Sequence, residues 1–303
     1  MKVGITGSSG FVGLNIESYL RKFDFDISRL NREALGSPKI DLRHLDIIIH
    51  LAGKAHDLSK SPDPTEYYTV NYELTKRLYD SFLMSKATVF IFMSSVKAVA
   101  DTVTDILTED AIPIPSTDYG KSKLMAERYI EKQKLPEGKH YYILRPCMIH
   151  GPGNKGNLNL LYKFVGRKVP YPLAKFKNLR SYVTVENLCF IVLHLIMKNN
   201  VASGIYNIAD DRPLSTNEIV SILGKSMSIE PKFLHVPVYL IDLVAKLGDF
   251  FNLSINSEKL KKLTENYLVD NSKIKNAIEL NLPISSYDGL LKSAASFADD
   301  KAG

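Results

Sequence analysis

The run Gly7-Ser8-Ser9-Gly10-Phe11-Val12-Gly13 limits what this chain can fold into more than any other stretch. It follows the apolar, strand-like run Lys2–Thr6 and opens an amphipathic segment, Phe11–Lys22. A strand that turns through glycine into a helix leaves the first helical amides unpaired and places the positive end of the helix dipole at the turn. The three glycines have separate tasks. Gly7 makes the tight turn, Gly10 admits a close approach of an anion to the backbone, and Gly13 lets the helix pack closely on the strand. Such a cradle suits a pyrophosphate and points to a dinucleotide-binding first unit.

The rest of the first half alternates between strand and helix patterns. Strands are expected at Lys2–Thr6, Asp26–Leu30, Asp46–His50, Val89–Met93 and Tyr141–Leu144, and helices at Phe11–Lys22, Glu66–Met84 and Tyr119–Glu131. In the second helix Val70, Leu74, Leu78 and Phe82 recur at helical spacing. This alternation predicts a doubly wound α/β fold, with a parallel Rossmann sheet covered on both faces. The interval Asn31–Leu45 is too short for a full crossover, so a strand there should be degenerate or its helix replaced by a loop. After His150 the turn-rich run Gly151–Asn157 changes the character of the chain. Gly204–Ile208 reads as one more strand and Leu188–Met197 as one more covering helix. The dinucleotide-binding domain is therefore expected to comprise residues 1–151 and about 181–210, and a smaller α/β substrate domain about 152–180 and 211–303.

Composition narrows the class. The chain has 303 residues, 45% of them hydrophobic and 24% charged, which is ordinary for a globular protein with a large core. Cys147 and Cys189 lie in apolar surroundings and read as buried thiols, and no Cys/His cluster has metal-ligand spacing, so no metal is expected. The net charge is +6, but the lysines are dispersed and do not interleave with aromatics, which argues against a nucleic-acid partner. The longest apolar run, Leu188–Met197, is half of what a bilayer span requires. With a strand starting at the N-terminus and no room for a signal peptide, a cytoplasmic protein without a membrane partner is expected.

Two further features carry chemistry. Tyr119 and Lys123 are spaced i, i+4 at the start of a helix and share one face. A tyrosine near its ordinary pKa is a poor base at neutral pH, and a nearby ammonium should favour its phenolate. Phe90-Ile91-Phe92-Met93 is an apolar strand ending in Ser94 and Ser95, at the edge where open α/β sheets bind ligands. A hydroxyl there can hydrogen-bond a reacting oxygen, or simply cap a turn.

Taken in order, these features resemble the extended short-chain dehydrogenase/reductase family, which includes nucleotide-sugar epimerases, dehydratases and 4-ketoreductases. The resemblance extends through His50-Leu51-Ala52-Gly53, Val70-Asn71, Leu107–Asp110, Leu144-Arg145-Pro146, Gly151-Pro152-Gly153 and Val269–Lys273. It implies catalytic roles for Ser95, Tyr119 and Lys123. Gly7, Gly10, Phe11, Val12 and Gly13 would hold the cofactor pyrophosphate. Asp41 and Leu42 would meet the adenine, and Leu51, Ala52 and Gly53 would pack near the riboses. Lys123 would bond the nicotinamide ribose, Ser94 would line the nicotinamide side, and Asn71 would complete the cofactor set. Ser95, Met148, Asn157 and Arg180 would face the substrate, Arg180 through its diphosphate.

The end of the second strand lacks the acid expected for an NAD ribose and reads Ser28-Arg29-Leu30-Asn31-Arg32. Asn31 and Arg32, or Arg29, would receive a 2′-phosphate, which favours NADP(H) over NAD(H). Met148 stands where many 4-epimerases carry asparagine, and Arg145–Met148 and Ser94–Lys97 are closer to bacterial UDP-sugar 4-ketoreductases. The resemblance therefore implies reduction at C4 of a UDP-4-keto-(6-deoxy)-N-acetylhexose. A UDP-N-acetylhexosamine 4-epimerase with tightly bound NAD is the close alternative, and a non-catalytic redox sensor or scaffold a remote one. A homodimer formed through Glu66–Met84 and Tyr119–Glu131 is also implied.

Overall fold

The protein is described by a computed structural model that covers residues 1–37, 40–55, 63–154, 156–198, 200–250 and 257–299. β1 (Lys2–Thr6) leads into α1 (Phe11–Arg21), β2 (Asp26–Leu30), the short α2 (Arg32–Gly36) and β3 (Ile47–His50). α3 (Pro64–Tyr68), a π-helical turn at Thr69–Glu73 and α4 (Leu74–Leu83) form one helical stretch ahead of β4 (Val89–Met93). A 3-10 turn at Val96–Ala98, β5 (Ile106–Leu107), α5 (Asp118–Lys132) and β6 (His140–Pro146) follow. The second half runs β7 (Met148–His150), α6 (Asn157–Gly166), β8 (Tyr182–Thr184), α7 (Val185–Met197), β9 (Gly204–Ile208) and α8 (Thr216–Ser226). It closes with α9 (Val238–Phe250), α10 (Ser257–Thr264), β10 (Leu268–Val269), α11 (Ser272–Ile278) and α12 (Ser286–Asp299).

The central sheet has the order β2-β1-β3-β4-β6-β9, with every neighbouring pair parallel. Side chains alternate across it, as strand geometry requires. Val3, Ile5, Ile47, Ile49 and Ile91 face one core with Ile16 and Leu20 of α1 and Leu188, Ile191 and Leu195 of α7. Ile48, Phe90, Phe92 and Ile143 face the other with Leu78, Tyr79 and Phe82 of α4 and Ala126 and Ile130 of α5. This is the doubly wound Rossmann sheet, and its order reverses between β1 and β3. Ligands of such sheets bind beyond the carboxyl ends of the strands at that reversal. A third apolar cluster joins Leu158, Tyr162 and Val165 of α6 to Ile219, Val220 and Leu223 of α8 and Leu290, Ala294 and Phe297 of α12.

The structure agrees with the sequence reading in the shortened unit after β2 and departs from it in the limits of several helices. Between β2 and β3 the described residues hold only the five-residue α2, so β2 is an edge strand of the sheet. The single helix expected over 66–84 starts at Pro64, where Asp63 caps it, and is interrupted by the π turn around buried Asn71. π turns of this kind occur where a side chain is drawn into other work. The helix expected at 188–197 begins at Val185, because the Thr184 hydroxyl accepts the Asn187 amide at 3.1 Å. Both cysteines are buried and unpaired, and no described helix is long and apolar enough to cross a membrane.

Candidate active site

β1 delivers the chain into the glycine turn at the sheet reversal. Gly7 has φ +66°, and a Cβ there would sit 2.8 Å from the Ala52 amide nitrogen. At Gly13 a Cβ would sit 2.3 Å from the Gly7 carbonyl oxygen, so only glycine lets α1 come this close to the turn. Gly10 caps α1 with no side-chain cap, and its own amide bonds the Gly7 carbonyl at 3.1 Å. The first-turn amides of α1, on Phe11 and Val12, are thus presented toward a ligand rather than toward a capping side chain. This cradle fits a dinucleotide pyrophosphate.

A buried chain of hydrogen bonds holds the facing loop. Thr6 Oγ1 accepts the amides of Leu51 (3.1 Å) and Ala52 (3.0 Å). Its proton therefore goes to His50 Nδ1, 2.7 Å away. His50 Nε2 must then carry the ring proton and donate to Thr75 Oγ1 at 2.9 Å, and Thr75 donates to the Asn71 carbonyl at 2.7 Å. Burial pushes the His50 pKa down to about 3, with the Lys123 charge adding to the effect, so the ring is neutral. The Asn71 amide closes the far end of the loop. Its Oδ1 accepts the Lys54 amide at 2.8 Å, and its Nδ2 donates to the Lys54 carbonyl and to Ser122 Oγ, both at 3.0 Å. Asn71 thus ties the cofactor-side loop to α5, and its side chain is committed to protein partners.

The Ser/Tyr/Lys set comes together beyond the carboxyl end of β4. Ser95 opens the 3-10 turn, its hydroxyl accepting the Lys97 amide at 3.2 Å, and its side chain acts to lower the pKa of the Tyr119 phenol. Gly120 makes this possible, since a Cβ there would lie 2.4 Å from the Lys97 carbonyl. Lys123 Nζ donates to the Met93 carbonyl at 2.8 Å, sits 4.8 Å above the Phe92 ring, and borders Gly53. Burial brings the Lys123 pKa down to about 8, opposed by the charge of Glu127. The Tyr119 phenol is raised above its ordinary value by burial, with Ser95 opposing the rise and Glu127 and Tyr67 adding to it. The expected lowering of this phenol by Lys123 is therefore not what governs it. The ammonium is turned to the Met93 carbonyl, and burial dominates.

A functional support that sequence reasoning missed lies beneath this set. Glu127 and Arg145 form a fully buried pair, with Arg145 Nη2 2.6 Å and Nε 3.0 Å from the carboxylate. Ser94 donates to Glu127 as well. The side chain of Ser94 thus faces the ion pair, and any contact it makes with the cofactor falls to its backbone. The signal was present in the sequence: Glu127 follows Lys123 by one helical turn, and Arg145 interrupts an otherwise apolar central strand.

The remaining expected residues are scattered around this centre. Asn31 caps α2 by accepting the Ala34 amide at 2.9 Å, and Arg32 follows, exposed at the cofactor-side end of β2. Arg29 is not available there: Glu17 of α1 binds it through two contacts, at 2.8 and 3.0 Å. Asp41 is exposed and clamped by Arg43, which holds its carboxyl well below the usual range, while Leu42 is buried. Met148 is half-buried in β7 and packs on the third cluster. Arg180 pairs backbone to backbone with Leu214, and its charge partly opposes the burial that raises the pKa of Cys147, Tyr182 and Tyr267. Tyr267 in turn donates to the Ala100 carbonyl at 2.7 Å, just past the Ser95 turn. The Asn157 side chain lies outside the described residues.

A glycine cradle at the reversal of a parallel sheet, facing a Ser/Tyr/Lys set, defines a nicotinamide-dinucleotide-dependent enzyme of the Rossmann class. The chain belongs to the NAD dependent epimerase/dehydratase family, which it matches over residues 3–209. It is similar to the UDP-glucose 4-epimerase of Vibrio cholerae, at 28% identity over 97% of this chain and 94% of that one. It is also 27% identical to the N-acetyl-alpha-D-glucosaminyl-diphospho-ditrans,octacis-undecaprenol 4-epimerase of Escherichia coli O157:H7, over 89% of this chain and 87% of that one. Among solved structures, the UDP-glucuronic acid 4-epimerase of Bacillus cereus in complex with NAD superposes with a TM-score of 0.74, at 20% identity, over 99% of both chains.

Proposed function

We propose that this enzyme reduces a UDP-4-keto-(6-deoxy)-N-acetylhexose at C4. The observation that carries the reading is the close packing of the start of α5 on the Ser95 turn, where a Cβ on Gly120 would lie 2.4 Å from the Lys97 carbonyl, so that Tyr119 and Lys123 share the end of β4 with Ser95. Burial raises the phenol's pKa and keeps it protonated. A protonated phenol is poised to give a proton, which is the need of a reduction, where an alkoxide develops at O4. Ser95 donates to the same oxygen and fixes its approach to the phenol. Lys123 keeps a positive charge at the floor of the site between Met93 and Gly53. Gly7, Gly10, Phe11, Val12 and Gly13, flanked by Leu51 and Ala52, would hold a reduced nicotinamide dinucleotide, which when bound would supply hydride chemistry at this site. Met148 adds an apolar wall where an epimerase would need a polar contact. Arg180 is assigned to the substrate diphosphate, within a substrate-binding unit of residues 152–180 and 211–303.

Arg32 supports NADP(H) over NAD(H), because Glu17 holds Arg29 while Arg32 stands exposed beside the Asn31 cap at the end of β2. Arg32→Ala should lower the preference for NADPH over NADH about tenfold, the loss of one charge-assisted phosphate contact. A cytoplasmic homodimer paired through α4 and α5 is part of the same reading.

The test is loss of absorbance at 340 nm with NADPH or NADH and a UDP-4-keto-6-deoxy-N-acetylhexosamine. Stoichiometric oxidation, abolished in Tyr119→Phe, is expected. Wild-type turnover by Tyr119→Phe would overturn the mechanism. A 4-epimerase is the second reading, favoured by the near full-length likeness to the Vibrio cholerae enzyme. It predicts interconversion of UDP-GlcNAc and UDP-GalNAc with no added cofactor.

A further inference from the structure

The outer face of α9 is apolar and open. Tyr239, Leu240, Leu243, Val244 and Leu247 are each between 40% and 70% exposed. At helical spacing they form one continuous stripe, while Ala245 on the opposite side is buried against the protein. A patch of this kind on an otherwise well-packed chain calls for an occupant.

Charge around the stripe indicates which one. No acidic residue occurs between Glu137 and Glu186, a stretch that carries Lys163, Arg167, Lys168, Lys175, Lys177 and Arg180. Part of this basic stretch lies beside the start of α9. Tyr171 bridges to Phe233 and Leu173 to His235, and the Tyr171 amide bonds the Lys232 carbonyl at 2.7 Å. Lys168, Lys175, Lys177 and Lys232 are exposed along that ribbon, which enters α9 at Val238. The acids nearby are Glu230 in the ribbon, Asp242 and Asp249 on the flank of α9, Glu218 beside Phe233 and His235, and Glu265 just past α10. Glu218 is paired with Arg212, Glu265 with Lys261, and Lys246, one turn from Asp242, shares the α9 flank.

An exposed apolar stripe with a basic rim, on a helix too short to span a membrane, is the arrangement of a helix that lies in the plane of a bilayer. We propose that the α9 face docks this protein on an anionic lipid surface, with Tyr239, Leu243, Val244 and Leu247 in the headgroup–acyl boundary and Lys168, Lys175, Lys177 and Lys232 on the headgroups. Its position is informative. The Leu263 carbonyl of α10, the helix packed on α9, accepts from Asn178 Nδ2 at 3.2 Å and from the Thr216 hydroxyl at 3.3 Å. The docking hairpin is therefore fastened two residues from Arg180, so the surface that meets the bilayer adjoins the residue assigned to a substrate diphosphate.

The full chain is mixed with vesicles of phosphatidylcholine alone or phosphatidylcholine with phosphatidylglycerol, and bound protein is separated by flotation. Binding is expected on the anionic vesicles only and should weaken as salt is raised. The exposed pair Leu243→Glu/Val244→Glu should lower partitioning at least tenfold, and Lys175→Gln/Lys177→Gln about fivefold for each charge removed. Both variants should keep the wild-type circular dichroism and 340 nm turnover, which separates loss of docking from loss of folding. Absence of binding to anionic vesicles, or undiminished binding by the α9 variant, would overturn the proposal. So would a dimer in light scattering that the α9 charges dissociate, because the face would then be a subunit contact.

Discussion

Replacing Thr6 by valine tests the hydrogen-bond chain that shapes the cofactor side of the site. Valine keeps the shape of threonine, so no cavity opens and the change is purely one of polarity. Thr6 Oγ1 is buried and has three partners: the Leu51 amide at 3.1 Å, the Ala52 amide at 3.0 Å and His50 Nδ1 at 2.7 Å. Leaving a buried polar group without its partner costs about 1–3 kcal/mol. Leu51 and Ala52 are half-exposed and their amides can turn to water, which places them at the low end. The His50 nitrogen is sealed and stands at the high end. Thr6→Val should therefore lose about 3–5 kcal/mol of stability. Thr6→Ser, which keeps the hydroxyl, should lose about 1 kcal/mol for its missing methyl. The measurement is the guanidinium midpoint of each variant at unchanged m-value. If Thr6→Val unfolds within about 1 kcal/mol of the wild type, or if serine is as damaging as valine, the network is not what holds the loop.

Gly13→Ala should weaken dinucleotide binding at least tenfold, read by fluorescence titration, because its Cβ would sit 2.3 Å from the Gly7 carbonyl and force α1 off the cradle. Glu127→Gln should cost about 3 kcal/mol in denaturant unfolding, since it leaves the Arg145 charge buried and uncompensated. Acid should destabilise the protein through His50. In the unfolded chain the imidazole takes a proton near its ordinary 6.5, but in the fold only near about 3. The unfolded state thus binds more protons in that window, and stability falls as pH drops from about 6.5 toward 3. His50→Gln should flatten that part of a stability–pH curve measured by chemical denaturation.

The parts of the fold that repeat a period were legible in the chain. β1 and β4 begin and end where the apolar and β-branched runs do, because a strand buried on both faces has few polar residues to blur its limits. β2 and β9 also match their expected limits, although β2 is a largely exposed edge strand and β9 carries Asn207. The π turn at Thr69–Glu73 was not legible, since it arises from Asn71 being drawn to Lys54 and Ser122, contacts set by tertiary structure. In the site, the glycine cradle and the Tyr119/Lys123 pair follow from spacing alone. The direction of the Tyr119 shift did not, because it is decided by how deeply the phenol is buried and not by which residue lies one turn away. Likewise Glu127 and Arg145 are 18 residues apart and meet only when α5 lies across β6.

His150 closes β7 with its ring buried, and its Nδ1 finds a partner only in Ser293 of α12, at 2.8 Å and 143 positions further along the chain. On a ribosome adding about 5–20 residues per second, that partner is made roughly 7–30 s after the histidine. Once β9 ends at Ile208, well before Ser293 is made, the six-stranded sheet can assemble, while the α6–α8–α12 cluster still lacks its final helix. Birth of this molecule is therefore staged: the nucleotide-holding sheet can form first, and the half carrying α6, α8 and α12 is sealed only as α12 emerges.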